Sequence, residues 1–176
     1  MRGASGVSEF VSQALEAAAL ANAETAMRSL LEATVTSLRA HGCRWVDHAE
    51  EELLVHASPA LTIYHITLPP GVSYPPHDHR MPAMIALYEG AETNCTYRRR
   101  GAGLELAQTR EYRAPCVATL PPDTIHSVLN PGSAHSAAIH VYLGDLTSMK
   151  RSIWDPALYQ ERPFDNTFYF QQARRS

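Results

Sequence analysis

The stretch Gly71-Val-Ser-Tyr-Pro-Pro-His77-Asp-His79-Arg-Met-Pro-Ala83, running on to Gly90, decides how this chain is read. Side chains alternate along a strand, so His77 and His79 point to one face. A second stretch, Pro121-Pro-Asp123-Thr-Ile-His126-Ser-Val-Leu-Asn130, lies further along. A histidine pair on one strand and a third histidine from a neighbour can converge on one metal ion. Imidazole is a borderline ligand that suits Fe, Zn, Ni or Cu. If the three nitrogens share an ion, each should stand about 2.0–2.2 Å from it.

Outward from these stretches the pattern is one of short β-like runs separated by turn residues. Leu61–Leu68 alternates Leu61, Ile63, His65 and Thr67 against Thr62, Tyr64, Ile66 and Leu68, and stops at Pro69-Pro70-Gly71. Further runs are Met84–Glu89, Glu92–Arg99, Leu104–Tyr112, Val117–Leu120, Ile125–Leu129 and Ala137–Leu143. Many short strands at such spacing predict an all-β sandwich or barrel. The first 42 residues read instead as helical. Ser8 is placed to cap a first helix and Asn22 a second, in which Met27, Leu30, Leu31, Thr34, Val35 and Leu38 recur at helical spacing. Gly42 stands where a helix C-cap belongs. The expected organisation is a helical extension over 1–42, a β-barrel over 43–147, and an aromatic-rich segment over 148–176 packed back on the barrel.

With 176 residues the chain is long enough for one core without disulfides. Its net charge of −3 and lack of a basic stripe argue against nucleic acid as a partner. Cys43, Cys95 and Cys116 are odd in number and scattered, which points to a reducing compartment. No signal-peptide pattern opens the chain and no apolar run approaches the ~20 residues of a membrane span. A cytoplasmic protein, monomeric or homodimeric, is the expectation.

The two histidine stretches resemble the paired motifs of the cupin superfamily: Gly, five residues, His-x-His, a usual Glu four positions on, a closing Gly, then Pro-x-Gly-x-x-His with a trailing Asn. The resemblance covers roughly residues 60 to 145 and implies a jelly-roll, or double-stranded β-helix, fold. Ala83 stands where the usual carboxylate ligand would be, and Asp123 replaces a turn Gly. The implied metal ligands are therefore His77, His79 and His126, with no acid. Three neutral imidazoles leave a divalent ion its full charge and, at six-coordination, about three open positions.

Within the cupins the chain resembles the cysteine dioxygenase-like, three-histidine iron proteins. That family carries a Ser-x-His-x-Tyr relay, matched here by Ala138-Ile-His140-Val-Tyr142, which keeps His140 and Tyr142 and loses the Ser. It also grips a substrate carboxylate with an Arg upstream of the metal motif. Between Trp45 and His79 this chain has no Arg or Lys, which turns the expectation away from cysteine itself as substrate. A carboxylate clamp needs a guanidinium, so Arg80, Arg98, Arg99 and Arg113 are the candidates, Arg98 foremost.

The resemblance implies an Fe(II)- and O₂-dependent dioxygenase that converts a small thiol to a sulfinic acid. The same ligand set also serves cupins that cleave a C–C bond in a diketone or hydroxylated aromatic acid. A third reading is a non-enzymatic, metal-dependent cupin that binds a small molecule.

Overall fold

The computed structural model describes residues 3–46 and 51–175. Two helices open the chain, α1 (Gly3–Ala18) and α2 (Ala23–His41). The strands of the central part are β1 (Glu52–Ala57), β2 (Thr62–Leu68), β3 (Val72–Asp78), β4 (Ala83–Glu89) and β5 (Ala91–Arg100). They continue with β6 (Gly103–Arg113), β7 (Cys116–Leu120), β8 (Ile125–Leu129) and β9 (Ser136–Tyr142). The C-terminal part adds β10 (Ser152–Trp154), β11 (Glu161–Pro163), α3 (Asn166–Gln171) and β12 (Arg174–Arg175). No helix among the described residues is long and apolar enough to cross a membrane.

The strands pair antiparallel into two sheets, one ordered β1-β2-β9-β4-β7 and the other β11-β10-β3-β8-β5-β6, with β12 also on β3. Together they make the all-β jelly roll expected from the sequence, with α1 and α2 against the outer face of the first sheet. β4 explains the layering. Its Met84, Ala86 and Tyr88 join a cluster with Phe10, Met27 and Leu31 of the helices. Ala83, Ile85 and Leu87 point the other way, into the barrel interior with Leu120 and Tyr142. Both faces are covered, which is why the segment reads as a continuous apolar run rather than an alternation.

On α2, buried Met27, Leu31, Val35 and Leu38 recur at helical-turn spacing and form the stripe that covers the sheet. Full burial of one such side chain contributes about 1.5–3 kcal/mol. Gly42 ends the helix with a left-handed φ of 58°, and the chain closes there on the carbonyls of Arg39 and Leu38. The two N-caps differ from expectation. Ser8 lies inside α1, which already runs from Gly3 because nothing between Gly3 and Val7 breaks a helix. Asn22 does precede α2, but its side chain makes no cap hydrogen bond; its carbonyl accepts from Ala26 N–H at 3.1 Å.

Two local features set the frame of the site. Gly90, between β4 and β5, has φ 77°, and a Cβ there would lie 2.9 Å from Ser136 Cα. Only glycine fits that approach. In β3, Pro75 and Pro76 fall in a bulge, where three residues from Tyr74 to His77 oppose only two on β8, from Val128 to His126. Proline cannot donate to a ladder and is accommodated at such irregularities. Buried Asn130 then ties the neighbouring loops together. Its amide donates to the Leu68 and Ala134 carbonyls at 2.8 and 2.9 Å, and its oxygen accepts from Gly132 N–H at 2.9 Å.

Candidate metal centre

His77 on β3 is the direct ladder partner of His126 on β8, so both rings face the barrel interior side by side. His79 comes one residue after the end of β3 and reaches the same point from the turn, not through strand alternation as the sequence implied. All three are buried, and one ligating nitrogen from each lies within 4.8 Å of the others. Ring centroids are 4.6 Å apart for His77 and His126, and 5.0 Å for each pair with His79. Ala83 sits opposite Tyr142 across the β4–β9 ladder and adds a methyl group to the interior, not a ligand.

The hydrogen bonds around these rings fit a bound cation. His77 Nδ1–H donates to the Pro75 carbonyl at 3.0 Å, and His126 Nδ1–H donates to Asn94 Oδ1 at 2.8 Å. A carbonyl oxygen only accepts, so the protons sit on Nδ1 and the Nε2 lone pairs are left for the shared space. His126 Nε2 is buried without a partner, a state that costs about 1–3 kcal/mol unless something binds there. Burial also favours neutral imidazole. It is the main cause that pulls His77 and His79 well below the ordinary histidine range and His126 down to about 4. Neutral, desolvated nitrogens are what a divalent metal requires of its ligands.

His140 and Tyr142, on β9, line the same cavity. His140 Nδ1 is 3.3 Å from the Tyr142 hydroxyl, and the Tyr142 ring stands 4.9 Å from that of His79. Burial lowers His140 to about 3 and pushes Tyr142 up, so the imidazole is neutral and the phenol keeps its proton. His140 Nε2 is buried without a partner. Ala138, where the relay Ser is missing, also faces the interior.

The arginine expectation is corrected. Arg98 is exposed at the far end of the β5–β6 hairpin, because pairing of β5 with β8 stops at Tyr97 and the hairpin runs on beyond it. Arg80 pairs with Asp78 at 2.6 Å, Arg99 with Glu161 through a 2.7 Å hydrogen bond, and Arg113 with Glu111. None of the four lines the cavity. Arg151 does, together with Glu52. Neither belongs to the histidine stretches, and both come from the flanks of the region the motifs cover. Asn94 was also missed; only the pairing register reveals it, since Asn94 and Thr96 share the inward face that holds His126.

Apolar side chains, Ile66, Leu68, Ile85, Val128 and Leu146, form most of the remaining wall. The C-terminal segment supplies a roof of Phe164, Tyr169 and Phe170, with Tyr169 stacked 5.0 Å from Tyr74 at an interplanar angle of 18°. The cavity measures about 50 Å³. At roughly 10–15 Å³ per water, that is room for about four waters or a comparably small molecule.

No protein-family model and no curated protein matches the sequence. Similar solved structures include a Bacillus halodurans protein, with 15% identity over 65% of this chain and 77% of that one, at a TM-score of 0.50. An RmlC-like cupin family protein with a double-stranded β-helix fold from Methanocaldococcus jannaschii is 16% identical over 59% of this chain and 90% of that one, with a TM-score of 0.47. An oxalate oxidase in complex with the substrate analogue glycolate is 20% identical over 48% of this chain and 42% of its own, with a TM-score of 0.43. The match thus spans less than half of the oxidase chain. At these identities the likeness is one of fold.

Proposed function

We propose that this chain is a non-haem Fe(II)-dependent dioxygenase that oxidises a small thiol to a sulfinic acid. The observation that carries the reading is the all-imidazole cluster of His77, His79 and His126, with Ala83 in place of an acid. When bound, Fe(II) would supply redox activation of dioxygen and a Lewis-acidic seat for a thiolate. The overall reaction, R–SH + O₂ → R–SO₂H, balances without a co-reactant, since sulfur loses the four electrons that dioxygen gains.

The residues around the cluster have distinct tasks. Pro75 and Asn94 fix the tautomers of His77 and His126. His140 orients the Tyr142 hydroxyl, whose retained proton is available as a hydrogen bond to the substrate or oxygen. The aromatic roof and apolar wall exclude water, which strengthens every such polar contact. A cavity of about 50 Å³ suits a small thiol better than a hydroxylated aromatic acid, which favours this chemistry over C–C cleavage. Free Cys43, Cys95 and Cys116 are in keeping with a reducing compartment.

The test is oxygen uptake by anaerobically Fe(II)-loaded protein against a panel of small thiols, diketones and hydroxylated aromatic acids, with the product identified by mass. Uptake with a thiol and a gain of two oxygen atoms is the expected result. Uptake only with a diketone or aromatic acid, or silence across the panel, overturns it.

A further inference from the structure

Two charged side chains in the cavity wall have no task in the chemistry above. Arg151 immediately precedes β10, whose Ile153 pairs with His77. Its guanidinium lies over the Phe164 ring, 3.2 Å from the centroid, and makes no hydrogen bond or salt bridge among the described residues. Glu52 begins β1 opposite Ile66, which in turn opposes Ala138, so its side chain continues an inward-facing row of the first sheet. Its carboxylate also forms no salt bridge or hydrogen bond among the described residues. The two feel each other's charge but are not a contact pair.

Desolvating a charge without pairing it is expensive. Burial duly raises Glu52 and lowers Arg151 from their ordinary ranges. A cation and an anion held beside one small cavity, each with unused hydrogen-bonding capacity, are complementary to a ligand that carries both opposite charges. Guanidinium binds carboxylate through two parallel hydrogen bonds, and a carboxylate accepts from an ammonium. A ligand with one charge would satisfy one side chain and leave the other facing it unpaired.

We propose that Glu52 and Arg151 are the specificity-determining pair of this site, forming a dipolar receptor that selects a head group bearing both an ammonium and a carboxylate. The inference rests on the thiol reading only for what binds at the histidines; the head-group preference stands on these two residues. Arg151 thereby takes the place for which the sequence offered Arg98. It also removes the reason for setting an amino-acid thiol aside.

The experiment measures binding to the full chain loaded with Fe(II) under anaerobic conditions. Three thiols of similar size serve as probes: cysteine carries both charges, cysteamine the ammonium alone and 3-mercaptopropionate the carboxylate alone. Serine, which keeps the head group without the thiol, is the fourth. Cysteine should bind about ten-fold or more tighter than either singly charged thiol, the range expected for one hydrogen-bonded charge pair. Arg151→Gln should erase the advantage over cysteamine, and Glu52→Gln the advantage over 3-mercaptopropionate, each at unchanged metal content. Arg151→Lys, which keeps the charge, should retain most of the preference and serves if the glutamine variant fails to fold. Equal affinities for the three thiols, or a preference that survives both glutamine variants, overturns the pair while leaving the thiol reading intact. Serine binding that needs both residues, with no thiol gaining from its sulfur, supports the pair and overturns the thiol reading. If neither thiols nor serine bind, both fall.

Discussion

Two histidine–tyrosine pairs occupy opposite faces of the same sheet. On the helix side, His65 Nε2 meets the Tyr88 hydroxyl at 2.7 Å, beneath Trp45 and the apolar stripe of α2. On the barrel side, His140 meets Tyr142 at 3.3 Å, beside His79 and the cavity. The strands that carry them are adjacent, with Tyr64 opposite His140 and His65 opposite Ile139. Residue type and burial are alike. What separates them is the layer each face meets: packed helices on one side, and a small cavity lined by imidazole and charge on the other. One pair belongs to the packing of the fold; the other is placed to touch a ligand.

The contrast can be broken most severely at the metal ligands. His126→Ala should abolish metal retention, a loss beyond the 10–100-fold typical of removing an outer partner, while far-ultraviolet circular dichroism stays native. Elemental analysis of the purified variant checks it. On the other face, Leu31→Ala should cost about 2–5 kcal/mol of stability through the cavity it leaves. Metal content per folded molecule should not change. A Leu31 variant that loses metal in the folded state would show that the two faces are coupled.

A third test uses Glu92, buried on the barrel side, where Oε1 accepts from Ser136 Oγ at 3.0 Å and Oε2 is without a partner. Burial raises its carboxyl to about 7. Between the unfolded value near 4.3 and 7, the folded protein holds a proton that the unfolded chain has released, so stability falls as pH rises through that window. The fall amounts to at most about 3 kcal/mol. Thermal unfolding of Glu92→Gln between pH 4 and 8 should lack this decline; an unchanged slope would remove Glu92 as its source.

The smallest and sharpest test compares the two phenols directly. Tyr142→Phe should slow turnover about ten- to a hundred-fold at unchanged metal content, because only the donated hydrogen bond is lost. Tyr88→Phe should leave turnover alone and cost about 0.5–1.5 kcal/mol of stability. Equal effects of the two variants on turnover would erase the distinction between the faces.

The sequence carried the barrel and the histidines for a local reason. Strand periodicity and turn residues lie within a few positions of one another, and His126 needs only its strand to meet His77. The same logic misplaced Arg98, because nothing local reveals that β5 outruns β8. Glu52 and Arg151 were beyond such reading. One comes from the edge strand and the other from the segment after the barrel, and only the closed fold brings them to one cavity. His79 shows a subtler limit: its convergence was legible, whereas the strand end that delivers it was not.

The irregularity at Pro75 and Pro76 is a change of parity. Tyr74 and His77 are an odd number of residues apart, so an unbroken strand would aim them to opposite sides. Here Tyr74 stacks on the roof residue Tyr169 while His77 joins the metal cluster, both on the inner side. One surplus residue thus lets a single strand serve as ceiling support and as ligand donor. Its deletion would rotate the ligand half out of phase with the half that holds the roof.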